Sequence, residues 1–301
     1  MLSRIAESFF WIGRYIERAE ATARLLAEHH QLLIEDRTVP EGVACAILLD
    51  SLSLPSVPVD DAPALVGAVI GTTQDSSTIV GAIAAARENA RSIRDQLSGE
   101  VFEALNATHI ALSRGMVFAA SPGVALQRVM ERLLVVNGVI EWTMSRDEGY
   151  LFLALGRSLE RIDMTSRLLG VRHDQLWPES GPVATLRAAG ALSAFLRTRH
   201  PIDGDSVRRY LVLDDAFPRS MRECAESAEA AVRGLEQIDA SDGGDLLREV
   251  GMLRSQLEYA VDPSPAEVDV LAGRSQLAAL RASDCATRGF FHQAGTIVWS
   301  H

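Results

Sequence analysis

The sequence predicts an all-α protein, a multi-helix bundle of about ten to twelve helices formed by two tandem diverged helical repeats. Three observations point there. Ala, Leu, Val and Ile supply most of the 48% hydrophobic content, against only four Trp, four Tyr and nine Phe, which suits helices packed through small and branched aliphatic side chains. Segments rich in Arg, Glu, Ala and Leu, such as Ala84 to Leu97, Leu126 to Ile140 and Arg219 to Gln237, show no sustained alternation of apolar and polar residues and so do not read as strands. A sixteen-residue motif also occurs twice.

The first helix is expected from Ser3, a candidate N-cap, to about Ile34, because Phe9, Ile12, Ile16, Ala19, Ala23 and Leu26 recur at helical spacing. Breakers then follow at Val39 to Gly42, Leu54 to Asp61, Gly71 to Ser77, Ser98-Gly99, Ser121 to Gly123, Trp177 to Pro182, His200 to Asp205, Asp239 to Gly244 and Asp262 to Pro265, with stretches of helical length between them. The motif Trp11 to Leu26 aligns with Ala154 to Leu169 at an offset of 143 residues, with Gly, Arg, Glu, Arg, Thr, Arg, Leu and Leu identical. Ser76 to Arg91 echoes Pro218 to Arg233 more weakly at nearly the same offset. The expected organisation is therefore a first repeat over 1–145, a second over 146–285 that opens on a helix capped by Asp147, both packed into one domain, and a C-terminal tail over 286–301.

A formal charge of -11 disfavours a nucleic-acid partner. All 29 basic residues are Arg, which excludes Schiff-base chemistry, a Lys general base and the Lys-bearing phosphate loop. Cys45, Cys224 and Cys285 are few and widely spaced, as expected of buried thiols in a reducing compartment. Arg4 and Glu7 interrupt the apolar start of the chain, and no apolar run is long enough for a membrane helix, so neither a secretory signal nor a membrane partner is expected and the expected location is cytoplasmic. The seven histidines (His29, His30, His109, His173, His200, His292 and His301) form no Glu-x-x-His or His-x-x-x-His pair, so no metal site is expected. Glu28-His29-His30 reads as a solvated helix turn.

In the motif, Gly13, Glu17, Glu20 and Arg24 run down one flank of the apolar stripe, with Arg14 and Arg18 on the side away from Ile16; the second copy places Gly156, Glu160, Asp163 and Arg167 in the first set and Arg157 and Arg161 in the second. Thr22 and Thr165 are equivalent. A mid-helix glycine costs about 1 kcal/mol relative to alanine, so finding one in both copies suggests close approach of another helix. Three readings of the charged residues stay open. Glu17 and Glu160 can pair across a pseudo-two-fold axis with Arg157 or Arg161 and with Arg14 or Arg18. Alternatively Arg14, Arg18, Arg157 and Arg161 converge on a cleft that binds a carboxylate or phosphate. The third makes Glu17 or Glu160 a general acid or base, although no nucleophile or cofactor-binding motif accompanies them and no catalytic set or cofactor is assigned. Arg87, Arg91 and Arg94 form a basic stripe that could dock an acidic partner, or a solvated face laced with Glu88 and Asp95.

The opening Met1 to Glu7, the run Trp11 to Glu20, and Ala85 to Arg91, Arg146 to Gly149, Leu155 to Thr165 and Phe217 to Ser220 together resemble the alpha-E domain family, named for its helices and its Glu-Arg motif. Gly81-Ala82 and Asp75-Ser76 depart from the family pattern, which more often has a Cys and an Asn-Pro there. The resemblance implies association with a circularly permuted ATP-grasp protein, often with a transglutaminase-like protease as well, in systems that make or attach peptides through amide bonds. The function it implies is a non-catalytic helical partner or scaffold of that carboxylate-amine ligase. The competing expectation is an enzyme acting on a peptide or nucleotide intermediate.

Overall fold

The computed structural model describes residues 1–54, 59, 61–113, 121–238 and 243–291. His292, His301, the last ten residues of the expected tail, and parts of the expected breakers at 54–61 and 239–244 lie outside the described residues. The first half of the chain forms α1 (Ser3–Glu35), α2 (Glu41–Ser51), α3 (Ala62–Ile70), α4 (Ile79–Ser92), α5 (Gly99–Ser113) and α6 (Pro122–Thr143). The second forms α7 (Glu148–Gly170), α8 (His173–Leu176), α9 (Gly181–Ala188), α10 (Leu192–Thr198), α11 (Gly204–Leu213), α12 (Met221–Ile238), α13 (Gly244–Glu258) and α14 (Pro265–Ala286). The protein is all-α: twelve of these helices have eight residues or more, and no strand occurs among the described residues.

Short polar side chains start many of the helices. Asp61, Thr78, Asp147 and Asp203 each accept a backbone N–H from the first turn of α3, α4, α7 and α11, and Ser264 and Glu267 form a reciprocal capping box on α14. Ser3 does not cap α1. The N-cap is Leu2, with no side-chain bond, and Ser3 is the first helical residue. Pro122 and Pro265, each preceded by serine, open α6 and α14, where the missing N–H is not needed.

The bundle is organised around α1 and α7, which pack together more extensively than any other pair. α1 is flanked by α4 and α6, with α5 against both; α7 is flanked by α12 and α14, with α13 against both. The two sets run in the same order along the chain. α1 and α7 lie parallel, because residues that bond between their segments keep a near-constant separation in sequence: 142 for Arg18–Glu160, 144 for Arg161–Glu17 and for His29–His173, 146 for Arg14–Glu160. Antiparallel helices would instead keep a constant sum of residue numbers. Position for position, each motif residue therefore faces the neighbourhood of its own counterpart.

With neighbours on several sides, α1 and α7 are buried nearly all round. Phe10, Ile12, Leu26, Leu155, Leu159 and Ile162 are completely buried, each contributing roughly 1.5–3 kcal/mol of transfer free energy. The segment expected to be a tail begins inside this core. Residues 287–291 continue α14 as one π-helical turn, and the Phe291 ring packs against Phe10 at 5.4 Å and Phe152 at 5.9 Å. All three cysteines are buried and none is disulfide-bonded. No helix among the described residues is long and apolar enough to cross a membrane.

Candidate functional site

Gly13 and Gly156 set the geometry of the motif. A Cβ on Gly13 would sit 2.1 Å from the carbonyl oxygen of Leu153, and one on Gly156 would sit 2.1 Å from that of Phe10. Leu153 is the counterpart of Phe10, so the two approaches are reciprocal. Each helix lays its glycine on the backbone of the other, which brings the next turn, carrying Glu and Arg, within reach of the opposite helix.

There the charges cross-pair. Glu160 is completely buried and accepts from Arg18 Nε at 2.5 Å, Arg14 Nε at 2.6 Å and Arg18 Nη2 at 3.1 Å. Glu17, equally buried, accepts from Arg161 Nη2 at 2.7 Å and Arg219 Nη1 at 2.6 Å. The outer contacts repeat as well. Arg161 donates to the carbonyl of Pro218 and Arg18 more loosely to that of Ser76, and Arg24 grips Glu20 as Arg167 grips Asp163. Asn137 on α6 donates to Glu20, and Gln276 on α14 to Asp163, each at 2.8 Å. Arg14 and Arg157 also reach equivalent helices, Arg14 to Ser283 on α14 and Arg157 to Glu141 on α6. Thr22 is buried, and Thr165 donates to the carbonyl of Arg219 at 3.4 Å.

Burial pushes the Glu17 carboxyl up, but the guanidinia of Arg161 and Arg219 together outweigh it and hold the group at about 2. Burial likewise lowers Arg161 and Arg18, and the facing carboxylates Glu17 and Glu160 more than reverse it. Glu17 is thus held as a carboxylate, with one oxygen accepting from Arg161 and the other from Arg219. The cavity beside it, lined by Arg161, Arg219, Thr165 and Leu168 among others, is about 20 Å³, room for little more than one water. The four-Arg anion cleft does not form, because Arg14, Arg18, Arg157 and Arg161 each already meet a protein carboxylate. Arg14 and Arg18 also do not lie on an outward face: Arg14 is 6% exposed, because α4, α6 and α7 pack around α1 and Ser283 of α14 reaches its guanidinium.

In the sequence Arg219 belongs to a family-like segment and carries no site signal of its own, yet it bridges Glu17 and Glu20. Its place just before α12 at the echo of Ser76 and Ser77 was the available signal. The basic stripe at the end of α4 is a surface feature whose guanidinia have local partners. Arg87 and Arg91 share Glu88, Arg87 also donates to Asn106, and Arg94 lies over the Phe102 ring at 4.7 Å.

The expected solvated turn at Glu28-His29-His30 is wrong for its middle residue. His29 is completely buried, with Nε2 3.1 Å from the Ala44 carbonyl and Nδ1 3.1 Å from Nε2 of buried His173. The carbonyl can only accept, so His29 carries its proton on Nε2 and His173 donates through its own Nε2–H. Burial lowers His29 to about 4 and His173 to about 3. The unfolded chain takes up protons as pH falls through 6.5 while the folded one does not, so stability is full above about pH 6.5 and falls by about 1.4 kcal/mol per pH unit for each histidine held neutral. The Glu17 contribution is lost lower, between 4.5 and about 2. Thermal melts from pH 7 to 4 will show a falling Tm that His173→Gln flattens; a Tm independent of pH over this range would contradict the burial of the pair.

The fold and site together define a class: an all-helical domain in which two parallel Glu-Arg helices lock against each other. The chain belongs to the Alpha-E family, described as a predicted alpha-helical domain with a conserved ER motif, whose model matches residues 1–288. No curated protein and no solved structure matches the chain.

Proposed function

We propose that this protein is a non-catalytic helical partner or scaffold, acting in the cytoplasm and built from two copies of one helical unit, that docks an ATP-grasp carboxylate-amine ligase in a peptide synthesis or peptide-tagging system. The family resemblance adds a transglutaminase-like protease as a further component of the same assembly. The observation that carries the docking role is the outer face of α6. Its inner face, with Leu126, Val129, Leu133, Val136 and Ile140, is completely buried, while Leu134, Val135 and Trp142 on the other side are 52%, 59% and 89% exposed. Val135 and Trp142 lie two turns apart on one side of the helix, and an open tryptophan beside aliphatic neighbours is the composition of an interface anchor. The choice of the ATP-grasp partner rests on the family resemblance. The motif itself serves as the internal lock that keeps such a surface rigid.

Co-elution of this chain with a circularly permuted ATP-grasp protein on a sizing column tests the proposal. Trp142→Ala is expected to weaken the complex by about 2 kcal/mol or more, the loss typical of an interface anchor, and to leave Tm unchanged because the ring is solvated. Wild type eluting alone, or a complex indifferent to Trp142→Ala, counts against this face.

A further inference from the structure

A second feature lies away from the motif, in the second half of the chain. A cleft of about 310 Å³ opens between the end of α10, α11, the start of α12 and the end of α13, lined by His200, Arg209, Tyr210, Asp214, Arg222 and Leu257 among others. This is the lower end of the size range for small-molecule sites. Its polar groups are incompletely used. Arg222 donates from Nε to Glu226 at 3.2 Å, and its Nη2 lies 3.8 Å from Asp215, too far for a hydrogen bond. Arg209 spends Nη2 on Asp262 and the Pro263 carbonyl, leaving the other edge of its fork.

Tyr210 is 8% exposed, its ring held between Phe195 and Phe217, yet its hydroxyl has no hydrogen-bond partner among the described residues. Burial, then the Asp214 charge, pushes that phenol up to about 12, so it stays a donor. Asp214 is half committed: Oδ1 accepts the N–H groups of Ala216 and Phe217, and Oδ2 has no hydrogen-bond partner among the described residues. Leu213, Leu257 and Ala260 supply an apolar wall.

We infer that this cleft binds a small zwitterion, a free α-amino acid with an apolar side chain. Its carboxylate meets Arg222, the free edge of Arg209 and the Tyr210 hydroxyl, its ammonium meets Asp214 Oδ2, and its side chain lies on Leu213 and Leu257. A simple anion is the poorer fit, because Asp214, Asp215, Glu226 and Asp262 surround the two guanidinia and leave no net positive charge to attract one. The site is independent of the α6 docking face and stands or falls without it.

Titration calorimetry of the full chain with L-leucine, N-acetyl-L-leucine, L-leucinamide and inorganic phosphate tests the assignment. The expected result is saturable binding of L-leucine, at least about tenfold weaker binding of both blocked derivatives, and none of phosphate. Arg222→Ala is expected to abolish leucine binding, and Tyr210→Phe, which keeps the packed ring, to weaken it with Tm unchanged. Absence of leucine binding by wild type overturns the proposal. So do equal binding of the acetylated form, which would leave Asp214 without a role, and equal binding of phosphate, which would make the cleft a plain anion site.

Discussion

Glu160→Ala is expected to destabilise the protein by about 3–5 kcal/mol, the cost of removing one partner from a buried ion pair and leaving the other charge uncompensated. The loss falls mainly on Arg14, whose side chain is 7% exposed and keeps the Ser283 hydroxyl and the faces of Phe10 and Trp11 but no carboxylate; Arg18, at 22%, can turn toward water. A double-mutant cycle separates the two. Adding Arg14→Leu to Glu160→Ala should recover much of the loss, because the stranded charge goes with it, whereas adding Arg18→Leu should recover little. Denaturant titration reads both. A Glu160→Ala variant within about 0.5 kcal/mol of wild type, the usual range for a surface substitution, would mean that the lock is solvated and contributes little.

Gly156→Ala is expected to be the other severe change. Its new methyl would overlap the Phe10 carbonyl oxygen, a backbone atom that can move only if α1 shifts as a whole. Overpacking of this kind costs about 1–3 kcal/mol and occasionally more, outweighing the roughly 1 kcal/mol that alanine gains over glycine inside a helix. Gly13→Ala meets the Leu153 carbonyl at the same distance. The double variant should lose less than the sum of the two single losses, because one separation of α1 from α7 relieves both clashes. Strict additivity would mean that each helix gives way locally. Gly138, by contrast, has open space around an added Cβ, so Gly138→Ala serves as a neutral-to-stabilising control in the same melts.

Much of this arrangement was legible in the residues. Helical spacing in α1, the Asp147 cap and the paired mid-helix glycines are local or periodic signals, and the structure realises each of them. The partners of the motif charges could be narrowed to a few arginines, since a duplicated motif at a fixed offset implies counterparts that meet. What stayed illegible depended on how many neighbours a helix has. A single apolar stripe on α1 left Arg14 and Arg18 reading as outward, and His29 as solvated; both readings failed because α1 is central and covered on several sides. His29 and His173 lie just beyond the compared motif and one residue off its offset of 143, so their contact is evident only once α1 and α7 are seen to be parallel.

The sequence by itself determined the helical class, the approximate helix count, the Glu-Arg motif in duplicate and the family, because backbone propensity, breakers and periodicity are properties of neighbours along the chain. Only the tertiary structure decided that Glu160 takes Arg14 and Arg18 while Glu17 takes Arg161 and Arg219, that the anion cleft is filled by the protein's own carboxylates, and that Phe291 belongs to the core. Those outcomes depend on which groups are brought within about 3 Å of one another after water is excluded, where the strength of a charge pair is set by burial and geometry rather than by residue type.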